Sequence, residues 1–68
     1  RSPYTREERL ARALAFMEEH TVLRVPDYVR LTGLSRTTAS LELRELCQDP
    51  TSGIRSMGQR ASKVYVKR

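Results

Sequence analysis

The side chains of this sequence that can do chemistry are mostly cations and hydroxyls, and several of them recur within one short stretch. Guanidinium groups and hydroxyls donate hydrogen bonds to phosphate oxygens and to the acceptor edges of bases. Their spacing places them on one side of a helix. A short, polar and basic helix face of this kind suits the major groove of DNA. The residues in question are Arg36, Thr37, Ser40 and Arg44.

Metal binding and nucleophilic catalysis lack the residues they require. A zinc site needs three or four ligands, and no cysteine or carboxylate cluster surrounds the single histidine, His20. Nothing specific supports a catalytic pair of His20 with the single cysteine, Cys47, which sits where a small buried hydrophobe would end a helix face. We therefore predict no enzyme activity, no metal, no cofactor and no small-molecule substrate. One cysteine also excludes an internal disulfide.

The basic stretch must be positioned by a turn and a buried helix face. Gly33 tolerates a positive φ and therefore predicts a tight turn. Leu34 is expected to point into the core, and Ser35 is a good N-cap for a helix over about 35–48. The apolar positions of that helix recur at helical spacing and predict its buried side. They are Ala39, Leu43 and Leu46.

The run Leu31-Thr32-Gly33-Leu34-Ser35, followed by Thr38-Ala39-Ser40 and then Leu43 and Leu46, resembles the winged helix-turn-helix family of DNA-binding domains. The resemblance covers about residues 22–67, and nearly the whole chain once a leading helix is included. It implies a mainly α fold of three helices with a small antiparallel β wing, in one domain over 1–68. It also implies that the helix after the turn is the recognition helix.

Two helices are expected before the turn. Thr5 to Glu8 fits a capping box that opens a helix over about 5–19. Its apolar stripe predicts a core face, formed by Leu10, Ala13, Leu14 and Met17. Pro26 predicts the start of a second helix over about 26–32, with the Tyr28 hydroxyl at the surface near phosphate. The segment 21–24 is too short for a helix and is interpreted as a brief strand added to the wing.

The end of the chain alternates as two strands of a hairpin over about 53–67. We expect Ile54, Val64 and Val66 to face the core. Arg55, Lys63 and Lys67 are then expected to face solvent or DNA. In winged helices a residue near the wing tip commonly lies along the DNA backbone or in the minor groove, and the resemblance implies this role for Arg60.

Charge supports a polyanionic partner. The 68 residues carry 13 Lys and Arg against 8 Asp and Glu, a formal net charge of +5. The excess is concentrated in residues 49–68, where five cations face Asp49 alone. No run of 18 apolar residues occurs and the first 20 residues do not resemble a secretory signal, so we predict no membrane segment and a cytoplasmic location. A chain beginning with Arg1 is compatible with a piece of a longer protein.

The sequence thus predicts binding of double-stranded DNA, as the DNA-contacting domain of a transcription regulator. Arg36 is expected to contact either a guanine edge or a phosphate. Arg44 is expected to reach phosphate or to pair with Glu45, and Thr38 to pack against the second helix. One copy would bind weakly, so a homodimer or a further domain is expected to add affinity. The predicted DNA-binding residues are Arg36, Thr37, Ser40, Leu41, Arg44, Arg55, Arg60 and Lys63.

Two positions of the recognition helix leave other functions open. Leu41 on the groove face could meet a thymine methyl group, turn inward or bind a protein, and Glu42 adds negative charge. The alternative is a winged-helix protein-interaction module in a larger assembly. An architectural or replication-associated DNA binder is a third interpretation that would use the same surface.

Overall fold

The computed structural model describes residues 2–59 and 62–68. Within them, three helices precede one β-hairpin, which confirms the predicted mainly helical winged-helix layout. The two strands pair antiparallel. The elements are α1 (Arg6–Glu19), α2 (Val25–Thr32), α3 (Arg36–Gln48), β1 (Ile54–Met57) and β2 (Val64–Lys67). None of the helices in these two ranges is both long and apolar enough to cross a membrane.

Helix α1 begins where the capping box predicted. The Glu8 amide donates to Thr5 Oγ1 at 3.1 Å, and the Thr5 amide donates to Glu8 Oε1 at 2.8 Å. These two bonds satisfy amides that the first helical turn leaves without intrahelical partners. At the other end of α1, the His20 ring stacks on Phe16 with the ring centroids 4.0 Å apart.

The helix-turn-helix between α2 and α3 is also confirmed. Gly33 ends α2 with a φ of 77°, and its amide donates to Val29 O at 2.8 Å. A side chain at this φ would be strained, so glycine is the residue that the turn requires. Ser35 then caps α3 by accepting the Thr38 amide at 3.3 Å. The turn thereby fixes the angle at which α3 leaves α2.

The core lies where the three helices meet the hairpin, and it includes the predicted inner face of α3. Leu10 and Leu14 of α1 are partly buried against it. The fully or nearly fully buried members of the cluster come from all three helices, both strands and the segment before α2. They are Ala13, Met17, Leu23, Tyr28, Ala39, Leu43, Leu46, Ile54 and Tyr65.

The predicted burial of the hairpin is confirmed only in part. Ile54 and Val66 are buried as expected, but Val64 is only half-buried, and Tyr65, on the other face of β2, joins Ile54 in the core cluster. Leu23 and Tyr65 exchange two backbone hydrogen bonds of 2.8 Å, which ties this position of β2 to the segment before α2. Burial of the tyrosine ring removes more apolar area from water than burial of valine.

Lys67 is exposed, as expected, but its side chain also makes a contact within the fold. Because Lys67 lies opposite Ile54 and two residues from Tyr65, it shares their face of the hairpin. Its ammonium pairs with the Glu18 carboxylate of α1. The predicted strand over 21–24 is reduced to the single bridge between Leu23 and Tyr65.

Candidate nucleic-acid interface

A groove lined by four cations runs between the start of α2, one side of α3 and the beginning of β2. The α3 residues in it, Arg36, Ser40 and Arg44, follow one another at intervals of four, which places them along one side of the helix. Lys63 reaches the groove from the hairpin, with its ammonium 5.9 Å from the centre of the Tyr65 ring. No acidic residue of the described ranges lines it. The lining residues are Arg24, Val25, Pro26, Arg36, Ser40, Arg44, Lys63 and Tyr65.

Arg24 is a groove residue that the sequence analysis missed. It precedes α2, and its amide donates to Asp27 Oδ2 at 3.0 Å, which closes the first turn of that helix. Because residues 21–24 were predicted to form a strand, Arg24 was not placed at the start of a helix. Pro26 signalled that a helix starts near Arg24, but it did not show that this helix start would lie at the groove.

Most of the other cations are engaged within the fold. Arg12 donates to Leu31 O at 2.7 Å, and Arg68 donates to Cys47 O at 3.0 Å. Four more are in ion pairs. These are Arg6 with Glu45, Arg9 with Glu42, Arg30 with Asp27 and Lys67 with Glu18.

In the part of the chain that the structure describes, the cations that make no ion pair or carbonyl contact within the fold are the four of the groove and one on the neighbouring hairpin. In residues 2–59 and 62–68 they form no ion pair with a carboxylate. Four of the five line the groove, so the charge not neutralised by the fold is concentrated on one surface. The five are Arg24, Arg36, Arg44, Arg55 and Lys63.

Glu42 does not add charge to the exposed face of α3, and that expectation was wrong. Its side chain is buried and accepts two bonds of 2.7 Å from Arg9 Nε and Nη2, and one of 2.5 Å from the Tyr28 hydroxyl. Burial by itself would raise the pKa of Glu42, but the hydrogen bonds from Arg9 and Tyr28 hold that pKa below its usual range. The carboxylate is therefore a charged, fully paired part of the interior.

Tyr28 also differs from its predicted place at the surface near phosphate. The residue is fully buried, and its hydroxyl points to Glu42 instead of solvent. Burial, together with the hydrogen bond to the Glu42 carboxylate, raises the pKa of Tyr28. Tyr28 therefore belongs to the core and not to the candidate interface.

Two further expectations for α3 are settled by its contacts. Thr38 was expected to pack against α2, but it is exposed and its Oγ1 accepts a bond of 3.0 Å from Ser35 Oγ. Glu45 was one possible partner for Arg44, but its carboxylate lies 3.0 Å from Arg6 Nη1. Arg44 is left exposed at the groove.

Of the predicted DNA-binding residues, the structure brings Arg36, Ser40, Arg44 and Lys63 together in the groove. Others lie outside its lining. Thr37 and Leu41 are exposed on the adjoining face of α3, and Arg55 is exposed on β1. Arg60 lies outside the described residues. Cys47 is half-buried against the core as predicted, and burial raises the pKa of its thiol.

Comparison of the chain with protein-family models, curated proteins and solved structures gave no match. The interpretation of the groove therefore depends on its geometry and charge.

Proposed function

We propose that this chain binds double-stranded DNA and is the DNA-contacting domain of a transcription regulator. The observation that carries the proposal is the separation of the cations into two groups. Among the described residues, six cations are engaged in ion pairs or carbonyl contacts within the fold, while Arg24, Arg36, Arg44 and Lys63 line one groove. Cations clustered on one surface without carboxylate partners are suited to a polyanion.

The shape of the surface favours duplex DNA among polyanions. Helix α3 has 13 residues and is about 20 Å long, and the major groove is about 12 Å wide, enough to admit a helix. Its exposed side carries side chains that can reach base edges, namely Arg36, Thr37 and Ser40. Lys63 of the hairpin lies beside the helix, where the flanking phosphates would run, and Arg55 and Arg60 are proposed to extend this contact.

The experiment is fluorescence anisotropy of the chain with a labelled mixed-sequence duplex at several salt concentrations. We expect binding at low salt that weakens steeply as salt rises, because each phosphate contact contributes about 0.9 to the slope of log K against log salt. Arg36→Ala and Arg44→Gln should weaken binding. Arg30→Gln removes one positive charge from an exposed position outside the groove lining, and should change binding far less. Equal losses in all three variants, or no binding at low salt, would overturn the proposal.

A protein-interaction module is the second candidate, and one observation favours it. Leu41 and Met57 are large apolar side chains with 52% and 47% of their surface exposed. If the chain fails to bind DNA, a pull-down with wild type and Leu41→Arg tests this candidate directly. Loss of a captured partner with the arginine variant would support a protein-binding role for α3.

A further inference from the structure

The exposed face of α3 carries one apolar side chain among polar ones. Leu41 has half of its surface in water although it lies in the middle of the helix that the proposed function places in the major groove. Its helical neighbours at three and four positions away are all polar. They are Thr37, Thr38, Arg44 and Glu45.

This isolation argues against an apolar docking stripe along α3. A helix that lies in a protein groove presents several apolar residues at spacings of three and four, and Leu41 has none on its face. Thr37, Leu41 and Arg44 instead form a line in which an apolar side chain stands between a hydroxyl and a cation. Such a row of side chains is complementary to a surface that is mainly polar and charged and carries one apolar group.

The major groove of DNA has that character. Its base edges present hydrogen-bond donors and acceptors, and their apolar feature is a methyl group on C5 of a pyrimidine. Resting on the proposed function, we propose that Leu41 reads a pyrimidine C5-methyl group, that of thymine, and so determines part of the sequence preference. Leu41 follows Arg36 by five positions, a rise of about 7.5 Å along the helix axis, so the two side chains are expected to contact different base pairs.

The test begins by selecting duplexes that the chain prefers from a random pool. Each thymine of the selected site is then replaced by deoxyuridine, which removes only the methyl group. At one position we expect the deoxyuridine substitution to lower the affinity of wild type about two- to four-fold, as for removal of one buried methyl group. The same substitution should leave the affinity of Leu41→Ala unchanged. Because Leu41 is half-exposed, this variant is expected to fold normally, which its circular dichroism spectrum checks.

Met57→Ala is the matched control, since it shortens the other large exposed apolar side chain. It should keep the wild-type sensitivity to deoxyuridine. Sensitivity that persists in Leu41→Ala, or a wild type that is insensitive at every thymine, would overturn the proposal. A chain that binds no duplex fails earlier and refutes the proposed function itself.

A methylated cytosine offers the same methyl group from a second source. A parallel set of duplexes therefore carries 5-methylcytosine at each cytosine of the selected site. We expect the Leu41-dependent gain at a thymine and none at a cytosine. A Leu41-dependent gain only at 5-methylcytosine would overturn the assignment to thymine.

Discussion

Arg9 of α1 and Glu42 of α3 form a two-pronged ion pair in which Nε and Nη2 donate to different carboxylate oxygens, each at 2.7 Å. Only 15% and 7% of the two side chains are exposed. The planar guanidinium fits a carboxylate in this geometry, so the pair fixes the orientation of α3 against α1. It also holds the Glu42 charge away from the exposed face of the helix.

The second acidic residue of α3 also forms an ion pair with α1. Glu45 pairs with Arg6, another α1 arginine, at 3.0 Å. Both carboxylates of α3 therefore face arginines of α1, whereas both arginines of α3, Arg36 and Arg44, line the groove on another side. Helix α3 has two acidic and two basic residues. Because the acidic residues pair with α1, the side of α3 that lines the groove is basic.

The Arg9–Glu42 pair predicts that part of the free energy of unfolding is lost at acidic pH. Glu42→Gln should lower the free energy of unfolding at pH 7 by about 2 kcal/mol, because an amide cannot accept both charge-assisted bonds. The pKa of Glu42 is lower in the folded chain than its ordinary value of 4.5, so the stabilisation is present above that pH. It is lost as pH falls through the folded value.

Urea denaturation of wild type and Glu42→Gln between pH 3 and 7 measures this effect. The difference between the two proteins should be constant at neutral pH and shrink below about pH 4.5. Carboxylates other than Glu42 titrate in both proteins and cancel in the difference. A gap that stays constant down to pH 3 would contradict the assignment of this term to Glu42.

Tyr28→Phe tests whether the tyrosine hydroxyl is part of the interior. The variant loses the bond to Glu42 and should be less stable by about 1–2 kcal/mol. Because the hydroxyl does not reach the surface, DNA affinity measured where both proteins are fully folded should not change. Thermal denaturation and anisotropy give the two readouts. Unchanged stability with weaker DNA binding would instead place the hydroxyl at phosphate.

The features that the sequence predicts well are local. The Thr5–Glu8 capping box, the Gly33 turn and the inner face of α3 each depend on residues within a few positions of one another, so spacing alone determines them. Ser40 and Arg44 follow from the same spacing, because they lie about 100° and 140° around the helix from the buried Ala39. Arg36 lies only about 60° from Ala39 and is exposed as the first residue of α3.

The features that the sequence predicts poorly depend on distant partners. Glu42 is inward because Arg9, 33 positions away, meets it with a matching guanidinium. The register of β2 depends on the bridge from Leu23 to Tyr65, and an alternating strand does not show which of its two faces will be covered. Arg24 reaches the groove through the packing of α2 against α3, which no local pattern around it encodes.

Arg24 provides a prediction that separates the groove from the recognition helix alone. If it contacts a phosphate, Arg24→Gln should lower affinity at every sequence and reduce the salt slope by about 0.9. Anisotropy titrations between 50 and 300 mM salt measure the slope. Arg30→Gln carries the same change in net charge in the last turn of α2, outside the groove lining, and should leave the slope nearly unchanged. A slope that falls equally in both variants would show a general charge effect and no contact at Arg24.

Arg36 and Arg44 are expected to play different roles although both line the groove. Arg36 is the first residue of α3, where a recognition helix enters the major groove, and we expect it to bind a guanine edge. Arg36→Ala should then abolish about 1–3 kcal/mol of discrimination at one base pair. Arg44 lies two turns further along and is expected to contact phosphate, so Arg44→Ala should weaken binding to all sequences by a similar factor.

Competition binding against single-base variants of a selected site distinguishes the two roles. For Arg36→Ala, the preference at one position should become flat while the other positions keep their order. For Arg44→Ala, the order at every position should be retained while all affinities fall. If Arg36→Ala lowers all affinities uniformly, Arg36 contacts phosphate, and base recognition by α3 must then come from Thr37, Ser40 and Leu41.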